Sequence, residues 1–206
     1  MKKFTFLDGI AIAYREWGPG IRRLHRGFAR RPGLTGPIGD TGLVSLPATI
    51  DVISPPAVLR GAVSADIPAI VELLAADQLG AARDGVRSPA DLEAYQRGFR
   101  AIDSDPANLL VIAESGDDAV ATLQLTFIPG LARRGALRAQ IEAVRVAHHY
   151  RGQGIGAAII EWAISEARER GCALVQLTSD KSRADAHRFY QRLGFTASHE
   201  GLKLRL

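Results

Sequence analysis

Arg151-Gly152-Gln153-Gly154-Ile155-Gly156 decides how this chain folds and what it holds. The stretch follows a strand-like run over 141–146. It opens an amphipathic helix predicted over 154–170, with Ile155, Ile159, Trp162, Ala163 and Ala167 facing inward and Gly171 as its C-cap. Glycine lets backbone N–H groups approach a ligand closely, because no Cβ intervenes. A helix N-terminus adds unpaired donors and a partial positive charge. Together they make a seat for a pyrophosphate or similar anion, with the fixed charge of Arg151 beside it.

Outward from this turn the pattern is regular from Val58 onward. Strands are predicted over 58–62, 108–113, 119–127, 136–146 and 173–178, and a final strand pair over 196–206. The run 173–178 reads as a near-continuous apolar strand broken by Gln176, as expected when both sheet faces are covered. Ser64 is placed to cap a helix with Ile67, Ile70, Val71 and Leu74 on one face. Ser88-Pro89 opens another, carrying Leu92, Tyr95, Phe99 and Ile102. Ser182-x-x-Asp185 reads as the start of the helix that holds Tyr190. The fold class is mixed α/β: a central, mostly antiparallel, splayed sheet flanked by helices. Residues 1–57 read differently. Asp8-Gly9 signals a hairpin, and 21–37 carry five arginines, three glycines and two prolines with little periodicity. An irregular N-terminal extension over 1–57 and one domain over 58–206 are expected.

The glycine spacing alone also fits a dinucleotide fold, through Gly152, Gly154 and Ala157, with Asp180 roughly 20 residues on. Such a fold sets its glycine turn near its start, whereas only 50 residues follow Gly156 here. The downstream segment Arg183-Ala-Asp-Ala186-His-Arg-Phe-Tyr190-Gln-Arg-Leu-Gly194-Phe195 decides the matter. Arg-x-x-Gly-x-Gly followed by Ala-x-x-x-Tyr-x-x-x-Gly-Phe resembles the GCN5-related N-acetyltransferase superfamily over residues 58–206. Residues 4–28 separately resemble the opening of an α/β-hydrolase, through Asp8-Gly9, Ile12-Ala13-Tyr14, Gly18-Pro19-Gly20 and Leu24-His25-Arg26-Gly27. Arg26 splits the His-Gly pair of that family, and no Gly-x-Ser-x-Gly elbow occurs, so no hydrolase activity is expected.

The acetyltransferase resemblance implies acetyl-CoA as co-substrate, and it implies roles residue by residue. Backbone amides of Arg151, Gly152, Gln153, Gly154, Ile155, Gly156 and Ala157 match the loop that grips the pyrophosphate. Val144, Arg145 and Val146 match the splayed strand that pairs with the pantetheine arm. Tyr190 matches the proton donor to the departing thiolate. Arg183 stands where many members have an asparagine that contacts the cofactor. The amine needs a base. Glu142 is an acid in a run that is otherwise Ile-Ala-Val-Val apart from Arg145 and, by period two, shares a face with Val144 and Val146, where burial would raise its pKa. His148 and His149 are the other candidates. Acceptor specificity falls to Asp77, Arg83, Asp84 and the loop 128–134.

Composition narrows the rest. With 206 residues, 47% hydrophobic and 23% charged, the chain reads as one soluble domain plus an appendage. A single cysteine excludes an internal disulfide framework and a thiolate-rich metal site, and suits a reducing cytoplasm. No apolar run reaches the ~18 residues of a membrane span. A net charge of +4 suits an anionic cofactor, and it is too diffuse to argue for nucleic acid. The expected partner is a primary amine on a small molecule or a protein, acetylated by direct transfer in a ternary complex, with no metal, nucleic acid or membrane involved. The competing class is a non-catalytic acyl-CoA-binding regulatory module on the same fold. A homodimer is left open.

Overall fold

The computed structural model describes residues 34–35, 46–77, 80–204 and 206, all within the unit Gly33–Leu206. Its centre is a seven-stranded sheet in sequence order. The strands are β1 (Leu34–Thr35), β2 (Ala48–Ile50), β3 (Ala57–Gly61), β4 (Asn108–Ser115), β5 (Asp118–Ile128), β6 (Arg138–Val146) and β7 (Leu174–Leu177). Every neighbouring pair is antiparallel except β6 and β7, which run parallel. Helices α1 (Ile67–Ala75) and α2 (Pro89–Asp103) join β3 to β4, α3 (Ile155–Glu169) crosses from β6 to β7, and α4 (Ala184–Arg192) follows β7. The mixed α/β class read from the sequence is the one observed.

The core divides between the two sheet faces. On one, Ile155, Ile159, Ile160, Trp162 and Ala163 of α3 pack on Leu123, Leu125, Ala139 and Ile141, all essentially inaccessible to solvent. Full burial of side chains such as these stabilises by about 1.5–3 kcal/mol each. On the other face, Ile67 and Val71 of α1 and Phe99 of α2 form a smaller cluster with Leu110. Ser88 caps α2 as expected: its Oγ accepts the Asp91 N–H, and Asp91 in turn accepts the Ser88 N–H.

Four expectations are corrected. The regular sheet begins before residue 58. Ala48, Ile50 and Ile53 are core residues, and β2 pairs with β3, so the irregular extension does not reach 57. Ser64 lies in the 3-10 turn Ser64–Asp66, and Asp66 does the capping, accepting the Val63 N–H at 2.7 Å and a paired bond from Arg60. The Ser182 hydroxyl is spent on Asp180, so Arg183 occupies the N-cap of α4 without a side-chain cap bond. No strand forms over 196–204. The stretch 197–201 is small and polar with nothing to seat on a sheet face, and Leu202 and Leu204 stay exposed.

Two irregularities of β6 shape everything near the glycine turn. Pairing with β7 stops at Ile141↔Leu177, so 142–146 run on with no neighbouring strand on that edge among the described residues. The pairing with β5 slips at the same place. Gln124 faces Glu142 and Thr122 faces Arg145, leaving Ala143 and Val144 opposite Leu123. This is a β-bulge, and Ala143 takes its left-handed conformation at φ 54°. The extra residue reverses which face is which. Val144 and Val146 join Ala139 and Ile141 against the α3 core, while Glu142 and Arg145 lie with Gln140 on the opposite face. The expectation that Glu142 shares a face with Val144 and Val146 therefore fails, because simple alternation does not survive a bulge.

Candidate active site

The turn after β6 is held at φ angles that call for glycine: 77° at Gly152 and 92° at Gly154, the residue that caps α3. A Cβ on Gly152 would meet open space, whereas one on Gly154 would lie 3.5 Å from the Val52 side chain. Arg151 ties the turn to the strand end, its Nε donating to the Val146 carbonyl at 3.1 Å. Gln153 does the same from the other side, donating to the His149 carbonyl at 2.9 Å. The backbone N–H groups from Gly152 to Ala157 have no hydrogen-bond partner among the described residues. They form a row of convergent donors at the positive end of a 15-residue helix, beside the unpaired edge of β6. A pyrophosphate on a chain that pairs along 142–146 fits both features.

Behind this edge stand the side chains of the polar sheet face. Glu142 is exposed, not buried as expected, because the bulge turns it away from the α3 core. Arg145 is largely enclosed. Its terminal nitrogens reach the Val144 carbonyl at 2.9 Å and Asp77 at 3.1 Å. Arg183 donates from one nitrogen to both Asp77 oxygens, at 2.6 and 2.7 Å. Burial pulls the Arg145 pKa below its ordinary value, against the opposing pull of Asp77. Tyr190 is half-buried, with its ring edge-on to Phe189 and Phe195 at 5.1 and 5.9 Å. Burial raises the pKa of its phenol, and the charges of Arg145 and Arg183 partly offset that. The hydroxyl thus stays protonated at neutral pH.

The structure brings Tyr190, Arg145 and Arg183 into one electrostatic neighbourhood and sets Glu142 on the same sheet face as Arg145. His148 and His149 are exposed on the turn His148–Tyr150, edge-on to each other. Asp77, Arg83 and Asp84, named from sequence only as acceptor-side charges, all act on Arg145. The pairing of Arg145 and Arg183 through Asp77 was not foreseen. Its one sequence signal was Arg145, a second charge near Glu142 on the same strand. Among the described residues, no group of three or more His, Cys, Asp or Glu is placed to hold a metal, and no helix is long and apolar enough to cross a membrane.

A glycine seat at a helix head, beside a strand that parts from its parallel neighbour, defines an acyl-CoA-type transferase fold. Comparison with known proteins agrees: the chain belongs to the acetyltransferase (GNAT) family, which matches residues 68–195, and it is an N-acetyltransferase. An aminoalkylphosphonate N-acetyltransferase of Salmonella typhimurium is 32% identical over 114 residues, covering 55% of this chain and 73% of that protein. A Bacillus halodurans C-125 structure described as a transcriptional regulator is 46% identical at TM-score 0.69, covering 73% of this chain and 99% of that one. A Clostridium acetobutylicum protein solved with acetyl-CoA shares the fold at TM-score 0.58 and 23% identity, over 72% of this chain and 96% of that one. The family match does not extend to the hydrolase-like stretch 4–28, which lies outside the described residues.

Proposed function

We propose that the chain binds acetyl-CoA through the turn 151–157 and the 144–146 edge of β6, and transfers its acetyl group directly to the primary amine of a small molecule in a ternary complex. The row of unpartnered N–H groups from Gly152 to Ala157 beside an unpaired strand edge carries this reading. The amides of Gly152, Gln153, Gly154, Ile155, Gly156 and Ala157 take the pyrophosphate, with Arg151, whose own N–H donates to the His148 carbonyl, beside them, and the backbone of Val144, Arg145 and Val146 takes the pantetheine arm. Acetyl-CoA supplies an acetyl thioester to this slot. Glu142 accepts the ammonium proton, directly or through water, and exposure suits it to exchange that proton with solvent. Tyr190 holds the proton that the leaving thiolate takes up. Arg183, at the head of α4 and anchored on Asp77, completes the cofactor set. The name of the Salmonella relative supports a small amine over a protein as acceptor.

Thiol release from acetyl-CoA against a panel of small amines, alongside calorimetric binding of acetyl-CoA, tests this. Binding with turnover is expected. Binding without turnover on any amine would make the chain an acyl-CoA-binding module, and loss of binding would overturn the phosphate seat itself.

A further inference from the structure

We propose that Arg145 and Arg183 form an anion grip for the acceptor, so that the amine substrate carries a compact oxyanion, phosphonate or carboxylate, at its other end. This rests on the acetyltransferase reading above and adds to it the substrate's charge pattern.

The charge balance around Arg145 is the first observation. Two guanidiniums share one carboxylate, that of Asp77. Asp84 and a third arginine, Arg83, also act on Arg145. The side chain of Arg145 is only 16% exposed, and its Nε is buried with no hydrogen-bond partner among the described residues. A buried cation with part of a counter-ion and an unused donor is under-compensated. A structural latch between the loop after α1 and the sheet would need only one arginine. The nitrogens of Arg183 other than the one on Asp77 make no hydrogen bond among the described residues, and its side chain is 31% exposed. That cluster can accept an oxyanion in the paired manner arginine favours.

Position is the second observation. Glu142 and Arg145 lie on the same face of β6, opposite Gln124 and Thr122, two register steps apart on β5. Strand geometry makes that about 7 Å. A carboxylate beside a guanidinium at this spacing is the mirror of an amine joined by a short carbon chain to an anion. The amine goes to Glu142, at the edge where the acetyl group is delivered, and the anion goes to Arg145 and Arg183.

The test compares 3-aminopropylphosphonate and 3-aminopropanoate with butylamine as acceptors, at saturating acetyl-CoA. Both zwitterions should exceed butylamine in kcat/KM by about tenfold or more, the worth of a charged hydrogen bond. Arg145→Gln and Arg183→Gln should each erase most of that preference, mainly through KM. A second readout needs no turnover: calorimetric binding of propylphosphonate with coenzyme A present to fill the pyrophosphate seat. It should weaken about tenfold in each variant. Circular dichroism checks folding, and the more exposed Arg183 carries the test if Arg145→Gln unfolds. Equal turnover of butylamine, or a preference and propylphosphonate affinity that neither variant changes, would overturn the grip and leave acetyl transfer standing. Arginine-dependent propylphosphonate binding with no amine acetylated would uphold the grip and sink the transfer reading.

Discussion

The glycine turn and the arginine cluster are built in opposite ways. The turn comes from one contiguous stretch, 151–157, and two positive φ angles aim its donors. The cluster joins residues as far apart as Asp77 and Arg183, 106 positions away in sequence, and depends on a loop, a bulged strand and the head of α4 arriving together. Local backbone donors can hold a pyrophosphate without help from distant side chains. Side chains that tertiary placement brings together can be rearranged without touching the turn.

The contrast can be broken at several points. The largest effect tests whether the turn is as self-contained as it looks. A chain starting at Pro55 loses Ala48, Ile50, Ile53 and the Val52 side chain that lies against Gly154. At about 1.5–3 kcal/mol for each buried isoleucine, it should lose cooperative unfolding, while a chain starting at Gly33 should keep it. Circular dichroism melts of the two separate these outcomes. Next, Glu142→Gln keeps shape and removes proton acceptance, so kcat should fall by about 10²–10⁴-fold with acetyl-CoA affinity nearly unchanged. A wild-type rate would return the base to His148, His149 or water.

Tyr190→Phe should lower kcat by roughly 10²-fold with little loss of stability, because the hydroxyl has no hydrogen-bond partner among the described residues. The pKa of the folded phenol is raised, so the stabilising contribution of the neutral ring is complete below the unfolded value near ~10 and is lost as pH rises through the folded one. Wild-type melting temperature should therefore drop more steeply above that pH than the variant's, and the alkaline limb of the wild-type rate profile should vanish in the variant. An identical limb in both would make Tyr190 a packing residue. Gly154→Val forces a β-branched residue to φ 92° against Val52. It should cost about 1–2 kcal/mol of stability and weaken acetyl-CoA binding about tenfold by calorimetry. The smallest effect is a gain. Ala143→Gly relieves a left-handed alanine and should raise stability by up to ~1 kcal/mol, read as a shift of a few degrees in melting temperature.

What could be read from the sequence follows the same division. The helix after Gly154, the apolar strands and the Ser88 cap depend on neighbours within a few residues, and the structure has them where they were expected. Glu142 and Tyr190 were legible as chemical types, but the face of Glu142 was not. A bulge leaves no mark when its extra residue is an alanine instead of a glycine. β1 and β2 were missed because strands of two and three residues are too short to show a period. Ala48 and Ile50 earn their place only through pairing with β3. The Asp77 link to two arginines has no local signature at all.

The bulge at Ala143 also sets a rule about length. Up to Glu142, odd-numbered residues of β6 face the α3 core, and from Val144 onward even-numbered ones do. Deleting that one alanine would leave Val144 alone opposite Leu123 and Arg145 still opposite Thr122, so the bulge would vanish and the two faces would stay as they are. Adding one more residue between 142 and 145 without widening the bulge would instead swap the faces and turn Val144 and Val146 outward. This strand can therefore lose a residue here at less cost than it can gain one. Anyone grafting it onto a regular sheet can leave the alanine behind and keep the glutamate and the arginine on one face.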